Sequence, residues 1–215
     1  MFTGIIEEVG TLKSLREGPA QASLSIAAMH ISGSLALGDS VAVNGACLTV
    51  VQHSDESFIC ELSLETLRLT TLSRIRIGSP INLERSLTLN SRLGGHLVQG
   101  HVDGLGELVS ALPRGNGLEM SFAYSAELER YLVRKGSIAI DGVSLTIASL
   151  QNHAFTVAVI PHTIEMTNLK YLKIGNWVNL ETDIIGRYLE RFVQLGLTGN
   201  DQSKLTVEYL KEQGF

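Results

Sequence analysis

The stretch that decides the fold is VAVNGACLTV at residues 41–50, because IAIDGVSLTI at residues 138–147 repeats it almost word for word. Each stretch places a turn dipeptide between β-branched and apolar residues: Asn44-Gly45 in the first and Asp-Gly in the second. Such dipeptides favour type I′ hairpins, in which both central residues take a positive φ. Each stretch therefore predicts two antiparallel strands joined by a tight turn.

The repeat extends over most of the chain. The segment 4–10 matches 100–106 at an offset of 96, and after one added residue the segment 66–84 matches 163–181 at an offset of 97. Because the matched blocks keep the same order, the chain contains two copies of one unit of about 95 residues. Two copies are too few for a solenoid, so we expect each copy to form its own small domain.

The signals within each copy are those of short strands and tight turns. A small antiparallel sheet leaves two exposed edges unless it closes on itself. We therefore predict an all-β protein of two duplicated Greek-key, six-stranded β-barrels, residues 1–96 and 97–184, followed by a C-terminal helical segment, residues 185–215. A short helix is also expected near 64–72 and again near 163–169.

The end of the chain departs from the repeat. Its apolar residues recur at the spacing of one helical face, at Ile185, Tyr188, Leu189, Phe192 and Val193. This pattern predicts an amphipathic helix whose apolar stripe packs either on the chain's own barrels or on another copy of the chain. A second short helix is predicted from Thr206 to about Gln213.

Composition and charge narrow the classes of function. The 215 residues carry a formal net charge of −5, which provides no basic surface for nucleic acid or for an anionic membrane. No apolar run approaches the ~18 residues of a membrane span and no leader pattern opens the chain, so we expect a cytoplasmic protein. Cys47 and Cys60 fit neither a metal-ligand spacing nor a disulfide framework, which predicts reduced thiols.

The repeated phrase also carries candidate nucleophiles. Residues two apart in a strand share a face, so Cys47 and Thr49 point outward if Leu48 points into the core. Ser144 and Thr146 repeat this arrangement in the second copy. An isolated Cys or Ser beside a hairpin is often purely structural, so the pattern alone leaves both interpretations open.

The two copies differ at polar positions. The pairs that differ are Ile5 and His101, Asn44 and Asp141, Glu65 and His162, and Cys47 and Ser144. Divergent polar residues on duplicated folds suggest two similar ligands that are treated differently. His101 lies between glycines, where the backbone could approach a ligand. His96 and His101 are an odd number of residues apart on an expected strand, so they are predicted to face opposite ways and not to share a metal ion.

Five motifs in order, MFTGII, NGACLTV, GGHLVQGHVDG, DGVSLTI and IPHT, resemble those of the riboflavin synthase family of lumazine-binding barrel proteins. The resemblance covers essentially the whole chain. It implies an enzyme, without cofactor or metal, that converts two molecules of 6,7-dimethyl-8-ribityllumazine into riboflavin and 5-amino-6-(D-ribitylamino)uracil by transferring a four-carbon unit. It further implies a homotrimer joined by the C-terminal helix, and it leaves open an association with lumazine synthase. The alternative is a non-catalytic lumazine or flavin carrier.

The resemblance also implies two substrate pockets, which in the family meet between the first barrel of one subunit and the second barrel of its neighbour. The amino-terminal pocket would use Gly4, Ile5, Ile6, Ser40, Cys47, Leu48, Thr49, Glu61, Leu62, Ser63, Leu64, Glu65 and Thr66, with Phe2 close to the bound ring. The carboxyl-terminal pocket would use Gly100, His101, Val102, Lys135, Ser144, Leu145, Thr146, Ala158, Val159, Ile160, Pro161, His162 and Thr163, with Asp183 nearby. The expected catalytic residues are Ser144, which assists addition at C7 of one lumazine, and His101 and Cys47, which transfer protons.

Overall fold

The computed structural model describes residues 1–151 and 153–196, and residues 1–183 form one compact unit that contains both copies of the repeat. The first copy closes into a six-stranded antiparallel barrel in the order β1-β2-β5-β4-β3-β6. Its strands are β1 (Glu8–Glu17), β2 (Gln21–Ala27), β3 (Ser40–Val43), β4 (Ala46–His53), β5 (Ser57–Ser63) and β6 (Pro80–Arg85).

The second copy closes in the same way. Its order, β7-β8-β11-β10-β9-β12, is that of the first barrel with every strand number raised by six. Its strands are β7 (Gly104–Arg114), β8 (Gly117–Tyr124), β9 (Ser137–Ile140), β10 (Val143–Gln151), β11 (Ala154–Val159) and β12 (Trp177–Thr182). The prediction of two duplicated six-stranded barrels is therefore confirmed.

The two repeated hairpins have the predicted backbone. Asn44 and Gly45 have φ values of 45° and 79°, and Asp141 and Gly142 have 45° and 80°. Positive φ at both central residues is the mark of a type I′ turn. Beyond the first turn, Leu48 lies in the core of its barrel, as expected.

Short helices follow the fifth strand of each barrel. Helix α1 (Leu64–Leu69) is succeeded by a 3₁₀ turn at Thr71–Ser73, and α2 (Pro161–Glu165) by a 3₁₀ turn at Asn168–Tyr171. The second helix begins two residues before the predicted 163, because Pro161 occupies its first turn, where a missing N–H costs nothing. An extended threonine, Thr70 or Thr167, caps the start of each 3₁₀ turn.

The two barrels meet about an approximate two-fold axis. Phe2 and Val98, which are equivalent in the repeat, form an isolated β-bridge with each other. The same asparagine of each barrel donates to the hairpin of the other: Asn82 Nδ2 to Asp141 O at 2.9 Å, and Asn179 Nδ2 to Asn44 O at 2.8 Å. The hairpins that repeat in sequence are thus also part of the contact between the barrels.

The second unit begins at Ile184. Helix α3 (Ile184–Gln194) confirms the predicted helix in its first part, and its stripe residues are 45–60% exposed. The helix predicted from Thr206 to Gln213 lies outside the described residues. Among residues 1–151 and 153–196, no helix is long and apolar enough to cross a membrane.

Candidate active site

The outward face of β3, β4 and β5, together with α1, forms a surface that we call the amino-terminal shelf. Thr49 stands at its centre, paired across the sheet with Ser40 on one side and with Glu61 on the other. Cys47 shares the face of Thr49 and is half-buried, while Leu48 points into the barrel. The alternation expected from the sequence therefore brings Ser40, Cys47, Thr49 and Glu61 to one side of the barrel.

The rest of the predicted amino-terminal set lies at the end of this shelf. Leu62 is buried in the core, so it supports the shelf from beneath. Ser63 caps α1, since its side chain accepts a hydrogen bond from Thr66 N at 2.9 Å. Leu64, Glu65 and Thr66 form the first turn of that helix.

The equivalent face of β9, β10 and β11, with α2, forms the carboxyl-terminal shelf. Ser144 and Thr146 lie on β10, where Thr146 pairs with Ser137 of β9. Leu145 packs against the second core and Val159 is buried. The remaining predicted residues follow along the chain to the start of α2: Ala158, Ile160, Pro161, His162 and Thr163.

The two glycine segments cross between the barrels, which corrects the expected grouping. Gly4 O accepts a hydrogen bond from Ser144 N at 2.8 Å, and Gly100 O accepts one from Cys47 N at 2.9 Å. The segment Gly4–Ile6 therefore lies on the carboxyl-terminal shelf, and Gly100–Val102 lies on the amino-terminal shelf. Sequence reasoning assigned each segment to the barrel of its own copy, but an extended segment can reach across the shared axis.

Only glycine fits at these crossings. A Cβ on Gly4 would lie 2.5 Å from Cβ of Ser144, and one on Gly100 would lie 2.5 Å from Cβ of Cys47. Both glycines also have positive φ, at 77° and 82°. The close approach of backbone to shelf is what requires glycine in the repeated motif.

Two buried carboxylates, which the sequence argument missed, hold the crossing segments. Glu84 accepts from Thr3 N at 2.6 Å and from Gly4 N at 3.0 Å, and Glu181 accepts from Gln99 N at 2.6 Å and Gly100 N at 2.9 Å. Burial raises the pKa of Glu84, and it raises that of Glu181 to about 7, against the opposing effect of these hydrogen bonds. The matching Asn-Leu-Glu triplets at 82–84 and 179–181 were the available signal.

His96 is a third residue that sequence reasoning did not assign to the site. Its Nδ1 lies 2.7 Å from Oγ of Ser144, and the side chain is only 8% exposed. Burial lowers the pKa of His96, and the charge of Asp183 partly opposes that effect. Burial therefore favours the neutral form of the ring beside the hydroxyl. The strand expected around it is wrong: residues 95–103 contain only the isolated bridge at Val98.

Lys135 occupies a backbone position that favours glycine. Its φ is 68°, and its N–H donates to Ile147 O at 2.8 Å. The equivalent residue of the first barrel is Gly38, with φ of 89° and a matching bond to Val50 O. A lysine in the left-handed region is strained by about 1–2 kcal/mol relative to ordinary backbone, a feature that often marks a functional residue.

Phe2 and His101, both predicted site residues, differ in their exposure. Phe2 has no exposed surface and packs with Ala42, Val98 and Ala139 between the barrels, so its ring supports the shelves from below. His101 is exposed on the segment that crosses the amino-terminal shelf. The two predicted cysteines are free, and burial raises the pKa of Cys60 to about 12, which keeps that thiol protonated.

Comparisons with known proteins agree with this architecture. The model of the lumazine binding domain matches residues 3–86 and 99–183, once for each barrel. Riboflavin synthase of Actinobacillus pleuropneumoniae is 44% identical over the full length of both chains, and that of Bacillus subtilis is 41% identical over the same extent. Riboflavin synthase of Mycobacterium tuberculosis is 43% identical over 90% of this chain and 98% of its own.

Solved structures show the same fold. LumP complexed with riboflavin superposes with a TM-score of 0.77 at 26% identity, over 85% of this chain and 99% of that one. LumP complexed with 6,7-dimethyl-8-(1′-D-ribityl)lumazine gives a TM-score of 0.76 at 24% identity. With a duplicated family match and full-length relatives above 40% identity, the chain belongs to the riboflavin synthase family of lumazine-binding proteins.

Proposed function

We propose that this protein is a riboflavin synthase, which dismutates two molecules of 6,7-dimethyl-8-ribityllumazine to riboflavin and 5-amino-6-(D-ribitylamino)uracil. One lumazine donates a four-carbon unit to the other, and the atoms of two substrates equal those of the two products. The observation that carries the proposal is the pair of equivalent shelves with different polar residues, Cys47 on one and Ser144 on the other. A duplicated fold supplies two similar sites, and the differences let one molecule act as donor and the other as acceptor.

The carboxyl-terminal shelf holds a nucleophile beside a base, Ser144 and His96. In the tautomer that carries its proton on Nε2, His96 accepts the Ser144 hydroxyl hydrogen at Nδ1, which increases the nucleophilic character of Oγ. Ser144, or a water that it binds, then assists addition at C7 of one lumazine. Because burial lowers the pKa of His96, the ring stays neutral and able to accept a proton below the usual histidine pKa.

The amino-terminal shelf offers groups for proton transfer and for the ribityl chain. Cys47 is partly exposed beneath the Gly100 crossing, and exposed His101 follows on the same segment. The 7-methyl protons of the lumazine are acidic, so a positioned base is sufficient to remove one. Thr49 and Glu61 lie side by side and can bind hydroxyl groups.

The proposal includes a homotrimer in the cytoplasm, with the reacting pair bound between the shelves of adjacent subunits. Thr49, His101 and Thr146 are exposed on the single chain, although the reaction requires water to be excluded from the reacting pair. The exposed stripe of α3 offers an apolar surface for assembly. Barrel domains at 1–96 and 97–184, a trimerising segment at 185–215 and an association with lumazine synthase complete the proposal.

A lumazine or flavin carrier is the second candidate, because the LumP structures share the fold and were solved with bound lumazine and riboflavin. The partly buried contact between His96 and Ser144 favours the enzyme, since simple binding does not need an imidazole beside a hydroxyl.

Incubation of the purified protein with 6,7-dimethyl-8-ribityllumazine alone, without added cofactor, separates the two candidates. We expect riboflavin and the uracil product to form in equal amounts, measured by chromatography. Binding of the lumazine without turnover would identify the carrier.

A further inference from the structure

We propose that the groove between the two barrels, lined largely by the segments that follow α1 and α2, binds a small ligand with a planar aromatic ring and one anionic group. The groove has a volume of about 540 Å³, which is in the range of small-molecule sites. It contains none of the residues assigned above to either shelf. The proposed ligand therefore goes beyond the two lumazines of the proposed function.

The walls of the groove come from equivalent parts of the repeat but differ in chemistry. The first barrel contributes Arg74 and Arg76, while the second contributes Tyr171 and Trp177. At the offset of 97, Tyr171 is the equivalent of Arg74. The symmetry of the fold is therefore broken here into a cationic wall and an aromatic wall.

The cationic wall is available to an anion. Neither Arg74 nor Arg76 forms an ion pair within residues 1–151 and 153–196, and both side chains are exposed. The guanidinium of Arg74 lies 5.1 Å from the centre of the Trp177 ring. An arginine held against an aromatic face presents its N–H donors at the edge of that ring, where a phosphate or carboxylate can bind.

A buried hydroxyl in the groove supplies an independent observation. Thr71 lines the groove and is 3% exposed, yet its Oγ1 has no hydrogen-bond partner among the described residues. A buried hydroxyl without a partner is costly and is uncommon in a folded protein. Rotation of the Thr71 side chain toward the groove would let a ligand oxygen or nitrogen satisfy the hydroxyl.

Asp141 also lines the groove, and both of its carboxyl oxygens already accept hydrogen bonds from the protein. Asp141 accepts hydrogen bonds from Asn179 N and from Asn168 Nδ2, each at 2.8 Å. Burial raises the pKa of Asp141 to about 7, so its negative charge is reduced near neutral pH. The two arginines therefore dominate the charge of the groove.

Trp177 is the only tryptophan in the chain, so a single label reports on the groove. The full-length protein, labelled with 5-fluorotryptophan, is titrated with 2-naphthyl phosphate and, as a neutral match, with 2-naphthol. We expect a saturable ¹⁹F shift with the phosphate and affinity at least about tenfold weaker for the naphthol, equal to about 1.4 kcal/mol. Absence of a saturable shift, or equal affinity for both probes, overturns the proposal.

Three variants locate the site. Arg74→Gln and Arg76→Gln should each weaken 2-naphthyl phosphate about tenfold, and Thr71→Val should weaken it without loss of stability, because the hydroxyl has no protein partner to lose. Arg130→Gln is the matched control, since Arg130 also lies over an aromatic ring, at 5.4 Å from Tyr131, outside the groove. Affinities that change equally in Arg74→Gln and Arg130→Gln contradict the site.

Discussion

The Nδ1 atom of His96 lies 2.7 Å from Oγ of Ser144, although His96 belongs to the link between the copies and Ser144 to the second hairpin. The approach depends on Gly95, where a Cβ would lie 2.8 Å from Cβ of Ser144 and 2.1 Å from Thr3 O. Gly95 therefore allows the link between the copies to lie close enough to the carboxyl-terminal shelf for His96 to contact Ser144. This contact joins the symmetric part of the fold to a segment that the repeat does not contain.

Replacing His96 by glutamine tests whether this contact is catalytic. We expect His96→Gln to lower kcat by about 10²- to 10⁴-fold, the usual contribution of a general base, while the lumazine still binds. Burial lowers the pKa of His96. As the pH is lowered, the kcat of the wild type should therefore begin to fall only below the ordinary histidine pKa. Steady-state riboflavin formation from pH 5 to 8 measures both effects.

His53→Gln provides the control, since His53 is exposed at the end of β4. If His96→Gln retained the kcat of this control and its acid limb, His96 would be only a structural partner of Ser144.

Asp141 should make stability depend on pH. Its pKa is raised by burial from 3.8 to about 7, so the unfolded chain releases this proton first as pH rises. The folded state therefore loses stability between about pH 4 and 7, at a rate of at most about 1.4 kcal/mol per pH unit. Asp141→Asn removes this contribution, so the stability advantage of the wild type over the variant should shrink as pH rises through that window.

Urea denaturation at pH 5, 6, 7 and 8 measures the difference between the two proteins, and Asp55→Asn, at an exposed position, serves as the reference. A difference between wild type and Asp141→Asn that stays constant with pH contradicts the assignment.

Lys135 should lower the stability of the protein while it strengthens ligand binding. Lys135→Gly removes the strain at φ 68° but adds chain entropy to the unfolded state, so we expect a net gain of about 0.5–1 kcal/mol in the free energy of unfolding. Removal of the ammonium should weaken lumazine binding at the carboxyl-terminal shelf. Denaturant unfolding and equilibrium titration with riboflavin measure the two effects.

Gly38→Ala is the converse test in the first barrel. A Cβ at Gly38 meets nothing within 4 Å, so any loss of stability comes from the backbone at φ 89° alone. We expect Gly38→Ala to cost about 1 kcal/mol. A stabilising Gly38→Ala, or a destabilising Lys135→Gly, would show that the left-handed backbone is not strained.

The repeat, the hairpins and the barrel closure could all be predicted from the sequence, because turn dipeptides and alternation are local signals. The residues that point outward on the shelves could be predicted from the same alternation, as Cys47 and Thr49 show. The crossing of the glycine segments could not be predicted, since Gly4 and Ser144 are brought together only by the axis between the barrels. The strain at Lys135 was equally hidden, because it is a property of the backbone.

The stripe on α3 should hold the assembly together. Deletion of residues 184–215 removes the exposed apolar face and leaves both closed barrels, so we expect folded monomers with little riboflavin-forming activity. Sedimentation velocity measures the mass, and circular dichroism checks that the barrels remain. A trimer that survives the deletion would place the assembly contacts on the barrels.

A mixing experiment tests whether the reacting pair lies between subunits. Cys47 and Ser144 are poor positions for a blocking residue, because Gly100 and Gly4 lie against their Cβ atoms. Thr49 and Thr146 are exposed on the same two faces, so Thr49→Trp and Thr146→Trp should each block one shelf without disturbing the fold. Each variant alone should be nearly inactive.

After the two variants are refolded together in equal amounts, a working interface needs its first barrel from the Thr146→Trp chain and its second barrel from the Thr49→Trp chain. Random cyclic mixing gives this combination about one time in four, so about a quarter of the wild-type activity should return. A site within one chain always contains one blocked shelf, because every chain in the mixture carries one of the two substitutions. Mixed trimers, verified by native mass spectrometry, that recover no activity would therefore place both lumazines on a single chain.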